Sequence, residues 1–189
     1  MSKADNKGYT LVELVIVIAI VAILAAMSTV SITLIHSAKA KEATVTFDNQ
    51  VATLITKSKN VSTQQADKVY AMRIYNDGGK IYVQDGYYDG VAGKYVFDSS
   101  DKGKAFSSRV DVKFTGVVDV PDSGGVPSGS LRTLNAVSLK DAAFPFGICI
   151  RYDKSGRCID GNGEYSFHKK NGNKVGTVWV RKNGSHESR

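Results

Sequence analysis

The sequence predicts an α+β protein in which one long N-terminal helix packs on an antiparallel β-sheet head. Two observations predict this fold. Neither glycine nor proline occurs between residues 9 and 77, so nothing in this segment obliges a helix to stop. Beyond Asn60, short stretches of alternating polar and apolar residues are separated by turn residues, as is typical of strands. A chain of 189 residues is long enough for one folded head beside the helix.

The first half of the predicted helix is apolar, which indicates a membrane-spanning segment at residues 9–36. Every residue from Leu14 to Met27 is apolar, and the segment reaches the roughly 20 residues that cross the hydrocarbon layer. Lys3 and Lys7 precede it, which favours a cytoplasmic N-terminus. Glu13 is its single charge, and an unpaired charge at bilayer depth costs about 2.5 kcal/mol or more. We therefore expect Glu13 to have a partner; the alternative is a carboxylate among lipid headgroups, at the positive end of the helix dipole.

The second half of the predicted helix, residues 37–60, is amphipathic. Apolar residues recur at spacings of three and four, which places them on one helix face: Ala40, Ala43, Phe47, Val51 and Leu54. We expect this face to pack on the sheet of the head, because a sheet needs a second layer to bury its apolar face. Asn60 is the predicted end of the helix.

The remaining residues, 61–189, are predicted to form the β head. The predicted strands are Val69–Tyr75, Lys80–Gln84, Lys94–Phe97, Val110–Phe114, Gly147–Tyr152, Glu164–His168 and Val175–Lys182. Residues 76–79 (NDGG) and 171–173 (NGN) are typical of tight turns, which join antiparallel neighbours. Residues 121–130 (PDSGGVPSGS) are predicted to be a loop from their composition.

Residues 8–26, GYTLVELVIVIAIVAILAA, resemble the prepilin-type cleavage and methylation signature of type IV pilins and of secretion and competence pseudopilins. The resemblance implies that residues 1–8 are a leader, which prepilin peptidase removes between Gly8 and Tyr9. It also implies methylation of the new amino terminus at Tyr9. Glu13 would then pair with the terminal amine of a neighbouring subunit in a filament. The implied partners are other pilins, prepilin peptidase, a membrane assembly platform and, before assembly, membrane lipid.

Two features bear on the kind of pilin. Many major pilins have a helix-breaking proline about two dozen residues into the helix, whereas this chain reads MSTVS at residues 27–31, which favours a minor pilin or a pseudopilin. The runs YAMRIYNDGGKIYV, FGICIRYDKSGRC and GTVWVRKNGS resemble the strands of H-type minor pseudopilins. The Gly-Arg pair that is usual in the final strand of that group is absent here, where Arg181 is followed by Lys182.

These features predict a structural subunit of a type IV pilus or of a type II secretion-like pseudopilus. The subunit would be a single-pass precursor in the cytoplasmic membrane and then part of a surface filament. The alternative is a minor pilin that binds DNA during uptake, because the chain carries a net charge of +7. The candidate nucleic-acid contacts are Lys169, Lys170, Lys174, Trp179, Arg181 and Lys182. A solvated hairpin whose lysines protect a sheet edge is the competing interpretation of this basic tail.

The two cysteines, Cys149 and Cys158, lie close together in the sequence. A hairpin with residues 153–156 at its turn would place Arg151 opposite Cys158, with Cys149 diagonal to Cys158 on the same face. Diagonal neighbours are slightly too far apart for a disulfide, so a bond would need strong twist or a bulge. We predict a disulfide between these two residues.

No enzyme activity, cofactor or metal is predicted. His36, His168 and His186 are the only histidines, and they lack the spacing of metal ligands or of a nucleophile motif. Residues 160–164 (DGNGE) place oxygen-bearing side chains at alternate positions, as a calcium loop does, but the rest of that ligand set is missing. The same residue types are common in turns.

Overall fold

The computed structural model describes residues 10–60, 67–141, 144–170 and 172–189, and for residues 28–32 it describes the backbone alone. The chain divides into two compact units, Met1–Ile35 and His36–Arg189. Helix α1 comprises Leu11–Lys59. The predicted leader and Tyr9 lie outside the described residues, as does Asn171 of the second predicted turn. In the part of the chain that the structure describes, no helix is both long and apolar enough to cross a membrane.

The amphipathic part of α1 confirms the predicted helix face. All five apolar residues of the predicted stripe are at most 3% exposed: Ala40, Ala43, Phe47, Val51 and Leu54. Two residues from Phe47 on the helix, Val45 is 52% exposed, which marks the opposite side. The helix ends one residue before the predicted Asn60, with Lys57 and Lys59 in its last turn, where positive charge suits the helix dipole.

The head contains eleven described strands. They are β1 Lys68–Asp77, β2 Lys80–Asp89, β3 Lys94–Phe97, β4 Lys104–Ala105, β5 Val110–Asp119, β6 Leu131–Ser138, β7 Ile148–Tyr152, β8 Cys158–Asp160, β9 Gly163–Lys169, β10 Lys174–Val180 and β11 His186–Ser188. All seven predicted strands are present, although several have different ends. The strands that the sequence patterns did not indicate are β4, β6, β8 and β11. Three of these four are only two or three residues long, too short for alternation to be recognised.

The strands form two antiparallel sheets rather than the single sheet that the sequence predicted. In the first sheet the order is β3-β2-β1-β7-β8, with β4 also paired to β2. In the second sheet the order is β11-β10-β9-β5-β6. Local alternation identifies strands and hairpins but not which hairpins share a sheet, because that depends on contacts between residues far apart in sequence. The first sheet, for example, pairs β1 with β7.

The hairpin between β1 and β2 has the predicted turn in a shorter form. Asp77 pairs directly with Lys80, so the loop contains only Gly78 and Gly79. Both glycines have positive φ, 57° and 79°, which the tight two-residue hairpin turn requires and which glycine adopts without steric cost.

One buried cluster joins the helix stripe to inward-facing side chains of both sheets. Phe47 lies at its centre, with its ring centroid 4.8 Å from that of Tyr165 and 5.7 Å from that of Phe167 on β9. The helix also approaches β10 closely at Gly176, where a Cβ atom would lie 2.5 Å from Thr44 Oγ1. The amphipathic part of α1 therefore shares one core with the two sheets of the head.

Candidate functional site

The described N-terminal end of α1 is closed by a reciprocal cap between Thr10 and Glu13. The Glu13 carboxylate accepts hydrogen bonds from the Thr10 backbone N–H (2.8 Å) and from the Thr10 hydroxyl (3.0 Å). The Glu13 N–H in turn donates to Thr10 Oγ1 at 3.3 Å. This pattern is a capping box, which satisfies backbone donors that the first helical turn leaves without partners. Glu13 thus has a structural partner within its own chain, which the sequence interpretation did not include.

The first turns of α1 present a continuous apolar surface. From Leu11 to Met27, the large hydrophobic side chains are between 52% and 81% exposed. Exposed apolar patches beyond a few hundred Å² are typical of surfaces that contact lipid or another protein. This segment can therefore bury its surface against a bilayer or against other helices, with Glu13 as its one charge. Cleavage after Gly8 and methylation of Tyr9 concern residues outside the described part, and they stay predictions.

The predicted disulfide is wrong, because Cys149 and Cys158 are both free thiols. Tyr152 pairs with Cys158, so the hairpin has five turn residues, 153–157, instead of the predicted four, and Cys158 is no longer opposite Arg151. Cys158 then lies in the main core. Cys149 lies on the other face of the sheet, in a small cluster with Ala71 and Tyr95. The longer turn therefore places the two thiols on opposite faces, and the bulge between Cys158 and Asp160 comes only after it.

Burial also makes both thiols poor nucleophiles. Burial raises the pKa of Cys158 to about 12 and raises the pKa of Cys149 well above the ordinary thiol value. The thiolate is the reactive form, so neither cysteine is suited to catalysis or to metal binding at neutral pH.

The candidate nucleic-acid residues are divided between the two ends of a hairpin. Lys169 ends β9 and Lys174 begins β10, whereas Arg181 and Lys182 follow the other end of β10. Lys170 lies directly after Lys169. The structure therefore does not bring the six residues together into one basic patch.

Two of these cations are already paired with carboxylates. Lys174 Nζ lies 2.8 Å from Glu164 Oε1, and Arg181 Nη2 lies 2.7 Å from Glu187 Oε2. Both carboxylates belong to the same C-terminal segment, but their positions across the strands could not be known from the sequence. The pairing reduces the charge that the hairpin can offer to phosphates.

Trp179 lies on the outward face of β10, between Val178 and Val180 of the core. Its indole is flanked by Lys174 Nζ at 5.9 Å and by Arg189 Cζ at 5.5 Å from the ring centroid. The sequence predicted Arg181 on the same strand face as Trp179, but β10 ends at Val180, so Arg181 lies in the turn that follows. Arg189 at the C-terminus takes that flanking position.

The segment that resembled a calcium loop uses its carboxylates for ion pairs. Arg151 Nη2 lies 2.8 Å from Asp160 Oδ2, and Tyr95 donates its hydroxyl to the same oxygen at 2.5 Å. Glu164 is paired with Lys174, as described above. Within the described ranges, no group of three or more histidine, cysteine or acidic side chains could hold a metal ion.

The outward face of the first sheet carries a second set of residues that the sequence interpretation did not single out. Arg73 on β1 and Arg151 on β7 both point to this face, together with aromatic rings from β2, β3 and the segment before β7. Arg73 and Tyr75 alternate within β1, and this was the one sequence signal that could have placed a cation beside an aromatic ring.

Residues 3–29 match the family model of the prokaryotic N-terminal methylation motif. The match covers residues 3–8 of the predicted leader, the predicted cleavage position, Glu13 and the apolar run, and it does not extend to the head. No curated protein and no solved structure matches the chain significantly. The head therefore has to be interpreted from its own residues.

Proposed function

We propose that this chain, which carries at residues 3–29 the prepilin-type motif of type IV pilins and pseudopilins, is a structural subunit of a pilus or pseudopilus filament. The observation that carries the proposal is the juxtaposition of that motif with an exposed apolar helix containing one carboxylate. In a soluble protein this apolar surface would stay in contact with water, whereas a subunit that moves from the bilayer into a filament can bury it in both settings. The head would then be the part that the filament displays.

Processing is the first step of the proposed function. Prepilin peptidase would cut between Gly8 and Tyr9, and Tyr9 would receive the methyl group. Thr10 would then be the second residue of the mature chain, so the capping box would lie directly beside the new terminal amine. Mass spectrometry of isolated filaments should find a chain that begins at methylated Tyr9. Filaments that contain the chain with Met1 would contradict the proposal.

Glu13 would act in assembly through its charge and in the single chain through its hydrogen bonds. Two substitutions separate these roles. Glu13→Gln removes the charge but keeps an acceptor at a position where glutamine also completes a capping box. Glu13→Ala removes both. A charge that pairs with the amine of a neighbouring subunit predicts that both variants are processed but fail to enter filaments.

The matched control is Glu42→Gln, which removes a carboxylate from an exposed part of the same helix, where it forms an ion pair with Lys39. Immunoblots of cell-bound and filament fractions measure both processing and incorporation. Normal incorporation of Glu13→Gln, together with loss of Glu13→Ala, would mean that the carboxylate acts as a cap rather than as a charge partner.

A further inference from the structure

The guanidinium of Arg73 is a half-buried positive charge without a carboxylate partner among the residues that the structure describes. Its hydrogen-bonded side-chain partner Gln84 is neutral, since Arg73 Nε donates to Gln84 Oε1 at 2.8 Å. Burial also lowers the pKa of Arg73, which indicates that the charge has lost water without gaining a counter-ion. Charges removed from water are ordinarily paired, so this arginine requires an explanation.

Arg151 provides the comparison within the same sheet face. Its guanidinium also packs over an aromatic ring, with Cζ 3.9 Å from the Tyr88 centroid. Unlike Arg73, it is neutralised by Asp160 at 2.8 Å. Within the described ranges, one arginine of this face therefore has a counter-ion and the other has none.

Arg73 is held rigidly in place. Its Cζ atom lies 4.1 Å from the ring centroid of Tyr75, 4.6 Å from that of Phe97 and 4.7 Å from that of Phe146. Gln84 is itself 2% exposed, and its Nε2 donates to the backbone carbonyls of Asp98 and Asp101. A guanidinium fixed in this way loses little conformational freedom when a ligand binds, which favours recognition of a planar anion.

Arg73 lies beside a surface pocket of about 280 Å³. Arg73, Lys94, Phe97, Ser99, Gly124 and Phe146 line it. The lining thus combines two cations and a hydroxyl with aromatic carbon, and no lining residue is acidic. The volume lies just below the usual range for small-molecule sites, about 300 to 1,000 Å³, so it suits one small unit rather than a long segment.

We propose that this pocket binds a carboxylate carried on a small polar unit, such as a uronic acid residue of an acidic polysaccharide. The guanidinium would bind the carboxylate with two parallel hydrogen bonds, and Lys94 would add a second positive charge. The proposal extends beyond filament assembly, since it gives the displayed head a ligand. It is independent of the hairpin that contains Trp179, which belongs to the second sheet.

The test is binding of the full chain in non-ionic detergent to an immobilised oligogalacturonate, measured by surface plasmon resonance. Galacturonate should compete, whereas galactose, which differs only in lacking the carboxylate, should not. Equal competition by both sugars, or no binding to the surface, would overturn the proposal. Inorganic phosphate that competes as well as galacturonate would also overturn it, because the site would then accept any oxyanion.

Substitutions locate the binding to this pocket. Arg73→Gln should weaken it by about tenfold or more, because hydrogen bonds to a charged group are lost. Arg132→Gln is the matched control: it removes the same charge from an exposed position on the second sheet and should change the affinity by less than about twofold. Equal losses in the two variants would mean that binding follows net charge alone.

A further variant covers the case in which Arg73→Gln does not fold, as judged by its urea midpoint. Lys94 is exposed, so Lys94→Gln should leave folding unchanged. It should weaken binding to oligogalacturonate by about threefold, because one charge at the pocket is removed. An unchanged affinity in a folded Lys94→Gln chain would contradict the assignment of the ligand to this pocket.

Discussion

Substitution of Phe47 tests whether the second half of α1 belongs to the core of the head. Phe47 is 0% exposed, and its ring lies 4.8 Å from Tyr165 and 5.7 Å from Phe167 between centroids. Phe47→Ala removes these contacts and leaves a cavity between the helix and the second sheet. A buried Phe→Ala change costs about 3 to 5 kcal/mol, a large part of the roughly 5 to 15 kcal/mol that stabilises a domain.

The single tryptophan makes the loss measurable. Trp179 lies on β10, and β10 pairs with β9, the strand that Phe47 contacts. Its fluorescence should therefore report the unfolding of this sheet when the full chain is titrated with urea in non-ionic detergent. With an m-value of about 2 kcal/mol per M, a loss of about 4 kcal/mol lowers the urea midpoint by about 2 M.

Val45→Ala is the matched control, because Val45 lies two residues away on the same helix and is 52% exposed. It should change stability by less than about 0.5 kcal/mol, as is usual for surface positions. If Phe47→Ala and Val45→Ala shift the midpoint equally, the helix does not contribute its stripe to the core, and the packing described above is refuted.

The remaining predictions concern a close contact, the two thiols and the basic tail. Gly176→Ala should lower the free energy of unfolding, because the new Cβ atom would lie 2.5 Å from Thr44 Oγ1. Thr44→Ala in the same chain should restore part of that loss. A double-mutant cycle measured by urea unfolding that finds no coupling between the two substitutions would contradict this contact. Both cysteines should resist iodoacetamide at pH 8 in the folded chain and react in denaturant, as followed by mass; rapid labelling of the folded chain would contradict their burial. The double substitution Arg181→Ala and Lys182→Ala should leave binding to duplex DNA at low salt unchanged in a gel-shift assay, because Glu187 already pairs with Arg181. A strong loss of DNA binding in this variant would favour the DNA-binding alternative.

The helix shows what the local sequence pattern can predict. The positions from Ala40 to Leu54 follow the spacing of one helix face, and the same spacing decides which side chains can meet a sheet, so the pattern predicted both structure and burial. The cysteine pair illustrates the limit. A hairpin was predicted between β7 and the residues around Cys158, but its turn contains one residue more than predicted, and a slip of one residue changes the face of the side chains that follow. Nothing in the local composition indicates that extra turn residue.

The sequence by itself determined the prepilin-type motif, the long helix and its buried stripe, and most strands of the head, because each depends on residues that are neighbours along the chain. Only the tertiary structure decided that the strands divide into two sheets, that Cys149 and Cys158 lie on opposite faces, and that Glu164 and Glu187 pair with two cations of the basic tail. It also decided that Arg151 has a counter-ion whereas Arg73, on the same face, faces a pocket instead. These outcomes depend on which distant strands pair and in which register, and the free energy that selects them comes from packing of the whole core rather than from any single segment.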